Sequence, residues 1–140
     1  MTMGETIVTG QVVPAQTATA ATNLEPLAAA PLEQGDWPGW TEQEHGIARA
    51  AFDAAYGRAL VSLINDIQLK AAVLDSATSL WQLHDFLSIE RHGIEGRFDF
   101  RPQAILFLFA SLVRDDLLDL SELAGLETSK LAKIRAMSLF

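Results

Sequence analysis

From Thr41 onwards, apolar residues recur at helical intervals. Ile47, Ala51, Ala54, Ala55, Val61, Ile64, Ile67, Ala71 and Leu74 follow one another mostly at steps of three or four, the spacing of one face of a helix. Ahead of them, Thr41-Glu42-Gln43-Glu44 has the form of a capping box: the Thr41 hydroxyl can accept from the Glu44 amide while the Glu44 carboxylate reaches back. The pattern predicts a first helix from this cap to about Leu74, roughly 45 to 50 Å long at 1.5 Å per residue. A helix that long needs a long partner, which points to antiparallel pairing or a dimer. Asp75 to Ser79 is a polar break, and Ser79 to Gln82 offers a second capping box. A second helix is expected from Leu80 to about His92, ended by Gly93 in the left-handed C′ position.

Ile94 to Arg101 then reads as a connector, and Pro102 suits the first turn of a third helix running to about Asp116. From Ala104 to Val113 that helix is apolar nearly all round, so both faces should be covered, and a second chain is the natural supplier. Phe107 and Phe109, two residues apart, point to different sides, one to the core and one to an interface. Ser121 is the next cap candidate, and Gly125 separates a short turn from a final helix. Leu126, Leu131, Ile134 and Met137 line one stripe of that helix, with Lys130, Lys133 and Arg135 around it. Its basic residues suit the negative end of the helix dipole. With no βαβ alternation and no repeat, the expected fold is all-α, four to five helices with one long N-terminal helix, assembled as a helical homodimer.

Residues 1–36 break with this pattern. They are rich in Ala, Thr, Gly, Pro and Gln; Ile7 to Val13 could form a short strand, but a lone strand has no partner. The segment reads as a flexible N-terminal extension to a helical domain over residues 37–140. Gly35 to Trp40, GDWPGW, is the turn through which the chain enters that domain.

Composition narrows the function. Of 140 residues, 49% are hydrophobic and 20% charged, a foldable composition for one domain. The net charge of −8 disfavours general nucleic-acid binding and anionic lipid surfaces. Without cysteine there is no disulfide or thiolate metal site. No Lys or Arg precedes Arg49, so the positive region of a secretory or transit signal is lacking. The longest apolar run is too short to span a bilayer. These features together indicate a soluble cytoplasmic protein.

Trp81 to His92, WQLHDFLSIERH, concentrates the candidate chemistry. On a helix, Trp81, His84 and Asp85 share a stripe with Ser88, Arg91 and His92, beside the packing residues Leu80, Leu83, Phe86 and Leu87. Aromatic and arginine side chains dominate binding hot spots, so this helix suits a specific protein contact; the plainer reading of Trp81 is a half-buried core tryptophan. His84 and His92 sit about 12 Å apart by helix rise, too far to share one metal, and read as surface or interface histidines. Ser88 with His84 four residues before it lacks any oxyanion donor, and neither GxSxG nor a phosphate-binding glycine loop is present. No metal, cofactor or catalytic site is therefore expected. Asp85 and Arg91, six apart, cannot pair within the helix; they are either solvated or matched to another helix or chain.

The run LWQLHDFLSIERHGIEGRFDFR, Leu80 to Arg101, resembles the signature of the cyanobacterial fluorescence recovery proteins. The likeness continues through AILFLFASLVRDDLL and SELAGLETSKLAKIRAM and covers about residues 37–140, leaving the extension outside it. It implies an all-helical, non-enzymatic homodimer that binds the photoactivated orange carotenoid protein, mainly at that protein's C-terminal domain. Such proteins detach it from the phycobilisome and speed its return to the resting orange form, ending non-photochemical quenching and restoring antenna fluorescence. That role places the protein in the cytoplasm, peripheral to the thylakoid membrane through the phycobilisome. The family's dimer and partner-binding positions map by motif onto Trp81, His84, Asp85 and Arg91, with Phe107 and Lys133 further along; Glu90 stands where many members carry lysine. The alternative is a helical, chaperone-like assembly dimer acting on another carotenoid-binding or helical domain.

Overall fold

The structure, a computed structural model, describes residues 37–140. Its elements are α1 (Glu42–Ala71), α2 (Ala77–Arg97), α3 (Ile105–Arg114), a 3₁₀ turn (Leu120–Leu123) and α4 (Thr128–Met137). The fold is all-helical, with no strand among the described residues. The expected extension and the Ile7–Val13 strand lie outside them.

The chain enters through a tight turn. Trp40 N–H donates to Trp37 O at 3.1 Å, with Pro38 and then Gly39, at φ 84°, as the central residues. Proline followed by a positive-φ glycine is the requirement of a type II turn. The capping box then starts α1. Thr41 Oγ1 accepts from Glu44 N–H, and Glu44 Oε1 accepts from Thr41 N–H, both at 3.0 Å. Over its 30 residues α1 rises about 45 Å. Its first half buries Ala48, Ala51, Phe52 and Ala55, whereas Val61, Ile64 and Leu69 in its second half are exposed.

α2 begins earlier than the spacing indicated. Ser76, not Ser79, is its N-cap: Ser76 Oγ accepts from Ser79 N–H at 3.1 Å, and Ser79 Oγ supplies the reciprocal contact by accepting from Ser76 N–H at 3.1 Å. It also ends later. Gly93 lies inside the helix, which runs on through Gly96 to Arg97. Arg97 donates to Asp115 Oδ2 at 2.7 Å and Ser111 Oγ at 3.1 Å, and the buried Phe98 and Phe100 then pull the chain into the core. These distant contacts outweigh the roughly 1 kcal/mol that each helical glycine costs. α2 lies antiparallel to α1: Phe98 meets Tyr56 at 5.2 Å between ring centroids, and Lys70 sits 4.5 Å over the Phe86 ring. No residue of α2 is buried. The distal half of α1 and α2 thus form an arm that stands off a compact head.

The head holds the core. Phe52, Phe98 and Phe100 stack edge to face, and Ile105, Phe109, Leu112, Leu118, Leu123, Leu126 and Ile134 complete it. Pro102 opens a three-residue turn ahead of α3 rather than sitting in its first turn. α3 stops at Arg114 through Asp116, at φ 60°, with Leu117 N–H reaching back to Leu112 O at 2.9 Å and Asp116 N–H to Val113 O at 3.1 Å. This is the Schellman pattern, with Asp in the place glycine usually takes. The 3₁₀ turn is capped by Asp119, which accepts from Ser121 N–H at 2.9 Å, so Ser121 is not the cap. Arg58 ties this turn to α1 with a two-pronged contact to Glu122 at 2.7 and 2.8 Å and a third bond to Leu117 O. That pairing lowers the Glu122 carboxyl and raises the Arg58 guanidinium from their ordinary values. Gly125 (φ 107°) passes so close to Ile47 that a Cβ there would lie 2.5 Å from its Cδ1.

Candidate binding surfaces

The six candidate residues fall into two groups. Trp81, His84, Asp85 and Arg91 lie along α2 on the arm; Phe107 and Lys133 lie on α3 and α4 of the head.

On the arm, Trp81 is 61% exposed, which removes the half-buried core reading. Its ring meets His84 edge-on at 6.4 Å, and His84 Nδ1 contacts Asp85 Oδ1 at 3.2 Å. Neighbouring side chains of a helix normally diverge, so this pair is held by rotamers on an open surface, where it contributes little to stability. Arg91 donates from Nε to Glu95 Oε2 at 3.0 Å, one helical turn on. The expected solvated or inter-helical Arg91 is thus replaced by a pair within α2; Glu95 was placed in a connector only because the helix was ended at Gly93. Leu80, Leu87 and Ile89 are exposed beside Trp81, while Leu83 and Phe86 are half-buried toward α1. Apolar residues in this density on an exposed helix are the composition that suits a protein contact.

On the head, Phe107 and Phe109 part as their spacing requires. Phe109 is fully buried and Phe107 is 71% exposed. The chain's own packing covers most of the apolar run of α3: Ile105, Leu108, Phe109, Ala110 and Leu112 are buried, Leu106 and Val113 partly so, and Phe107 is its one exposed apolar residue. Lys133 is exposed on α4, which packs against α3. Leu126 and Ile134 of the expected α4 stripe are buried, and Leu131 and Met137 are partly so.

Sequence spacing gave no sign of the strongest polar contact. Lys130 is buried beside Glu44, its Nζ donating to Oε1 and Oε2 at 2.9 and 3.0 Å and to Gly39 O at 2.6 Å, 4.5 Å over the Trp40 ring. Glu127 N–H also donates to Glu44 Oε2, at 2.8 Å. The Thr41 amide first, then Lys130 and the Glu127 amide, hold the Glu44 carboxyl down to about 2. A carboxylate so fully paired is a structural lock between the start of α1 and α4, not an acid or base for catalysis. The capping box fixes Glu44 at the helix start, where its carboxylate can also take a cation, but nothing local names Lys130 as that cation. Three buried groups have no partner among the described residues: Trp37 Nε1, Arg49 Nη1 and Asp53 Oδ1.

Among the described residues no group of three or more His, Asp or Glu side chains converges as a metal set. No helix there is long and apolar enough to cross a membrane.

Comparison with known proteins gives these surfaces a family. Residues 40–138 match the model of the photoprotection regulator fluorescence recovery protein. The fluorescence recovery protein of Synechocystis sp. strain PCC 6803 is 39% identical over 99 residues, 71% of this chain and 91% of that protein. Its solved structure superposes with a TM-score of 0.69, covering 72% of this chain and 99% of the other. The Fremyella diplosiphon fluorescence recovery protein, 38% identical, also superposes at 0.69, covering 73% of this chain and all of that one. A match over most of the helical domain, in sequence and in fold, leads to one assignment: this chain belongs to the fluorescence recovery protein family of photoprotection regulators.

Proposed function

We propose that this chain binds the photoactivated orange carotenoid protein, mainly at its C-terminal domain, detaches it from the phycobilisome and accelerates its return to the resting orange state. It acts without catalysing covalent chemistry, as a homodimer in the cytoplasm at the thylakoid-associated antenna, and so ends non-photochemical quenching and restores fluorescence. The observation that carries this reading is the outward face of α2: Trp81 with Leu80, Leu87 and Ile89 on a helix that buries nothing in its own chain.

The arm needs cover, and a second copy supplies it. Val61 and Ile64 on α1 continue the exposed apolar surface of α2. Burial yields about 25 cal/mol per Å² of apolar area, so pairing two arms is favoured over leaving both bare. Trp81, His84, Asp85 and Arg91 then serve the dimer and its rim, and Phe107 and Lys133 of the head meet the carotenoid protein. Acceleration imposes a thermodynamic condition. Equal affinity for every state of the partner shifts nothing. Each tenfold gain in rate requires the barrier state to be bound about 1.4 kcal/mol more tightly than the activated state. Repeated action further requires weak binding of the resting form.

The test is the dark recovery of light-activated orange carotenoid protein with and without this chain. Faster loss of the activated absorbance is expected, and no acceleration at molar excess would sink the proposal. Leu87→Asp should lower the dimer's mass, whereas Phe107→Ala should slow recovery with the mass unchanged. Trp81→Ala and Arg91→Glu should alter dimer mass or recovery; if both variants leave both unchanged, the role given to α2 is wrong.

A further inference from the structure

Residues 1–36 are not described by the structure, but the point where they join it is. Trp37 is buried, edge-on to Trp40 at 5.3 Å and to His45 at 4.7 Å, and tilted against Phe100 at 4.8 Å. Lys130 of α4 lies over Trp40 and holds Gly39 O. The extension therefore enters at the head, beside α4 and the segment leading into α3. Lys133 is three residues from Lys130, a rise of about 4.5 Å. The far end of the arm, by contrast, is about 45 Å away along α1.

The chemistry of the extension complements that face. It carries Glu5, Glu25, Glu33 and Asp36 and no Lys or Arg. Leu24, Leu27 and Leu32 lie among alanines between these acids. The head presents an exposed Phe107 on α3 and an exposed Lys133 on α4, two helices that pack on each other, and Lys133 forms no ion pair among the described residues. Two buried donors beside the entry, Trp37 Nε1 and Arg49 Nη1, have no acceptor among the described residues, and Arg49 and Trp37 both pack on Phe100.

We propose that residues 24–36 dock in cis on the α3–α4 face around Phe107 and Lys133, and compete there with the partner; the competition rests on the function proposed above, the docking does not. Reach is ample. Leu32 can extend about 17 Å from Trp37 and Leu24 about 45 Å, at roughly 3.4 Å per residue. A short tether raises the local concentration of the segment to about the millimolar range. A segment with an intrinsic Kd of about 0.1 to 1 mM would be docked in half to nine-tenths of molecules and weaken partner binding about two- to tenfold.

The absence of native cysteine allows a clean test on the full-length chain. A nitroxide attached through Ala28→Cys should broaden amide signals around Phe107 and Lys133 independently of protein concentration, and Leu24→Ser/Leu27→Ser/Leu32→Ser should remove the effect. The same triple substitution, without the label, should tighten binding of the photoactivated partner two- to tenfold. No broadening of the head, or broadening centred on Trp81, overturns the docking. Broadening seen only between labelled and isotope-enriched molecules in a mixture overturns the cis assignment in favour of a second copy's extension. Broadening with partner affinity unchanged by the triple substitution overturns the competition. If neither chain binds the partner while the head still broadens, the docking stands and the proposed function alone fails.

Discussion

Replacing Gly93 by Ala tests where α2 ends, because the two possible endings give effects of opposite sign. In the structure Gly93 lies within α2, four residues before its last residue Arg97, and only Gly39 and Gly125 among the described glycines have positive φ. A Cβ at position 93 would meet nothing within 4 Å. The substitution then changes only backbone freedom, and Ala should stabilise the helix by about 0.5 to 1 kcal/mol. For a domain of this size that is a rise in Tm of about 2 to 8 °C. Gly96 is placed alike, so the double variant should gain roughly 1 to 2 kcal/mol. Had the helix ended at His92 with Gly93 left-handed, Ala would cost about 1 kcal/mol or more instead. The assay is thermal unfolding followed by circular dichroism, at matched protein concentration because self-association adds its own stabilisation. A lower Tm for Gly93→Ala would refute the long α2 and, with it, the Arg91–Glu95 pair that spans this glycine.

The other predictions are briefer. Gly125→Ala should destabilise by about 1 to 3 kcal/mol, since it adds backbone strain at φ 107° and a 2.5 Å contact with Ile47; an unchanged denaturant midpoint would contradict that contact. Phe109→Ala should cost about 3 to 5 kcal/mol, and Phe107→Ala less than about 0.5 kcal/mol, in parallel urea titrations; equal costs would mean that α3 is rotated. The Glu44 carboxyl is lowered from 4.5 to about 2 in the fold, so its contribution is complete above pH 4.5 and is lost as pH falls through about 2. Lys130→Met removes one cause of that lowering and should move the acid-unfolding midpoint upward; an unmoved midpoint would mean that the ion pair does not form.

What could be read from the sequence was what local physics decides. The Thr41–Glu44 cap was legible residue by residue, because its four groups lie within one turn. The division of Phe107 from Phe109 followed from helical spacing, which also located the apolar stripe of α4. The misreadings share a cause in distant contacts. Gly93 looked like a stop because nothing nearby shows that Arg97 is held by Asp115 and Ser111. Lys130 read only as one of the cations around the final helix's apolar stripe, because its acid lies 86 positions away. Ser79 and Ser121 were chosen as caps although Ser76 and Asp119, a few residues earlier, were equally able; which one caps depends on where the chain leaves the preceding turn. The family signature, rather than spacing, singled out the six candidate residues.

The bare arm has a consequence for how such a protein can change. No residue of α1 beyond Ala55, and none of α2, is fully buried. Substitutions at the exposed positions from Leu80 to His92 therefore meet almost no penalty from the chain's own interior, typically within about 0.5 kcal/mol, whereas Leu83 and Phe86 pack toward α1. The buried core lies in the head, and the exposed apolar residues of α2 lie on the arm. The exposed face of the arm can change in shape or charge while the head keeps the domain intact, so it is the part of the molecule freest to vary.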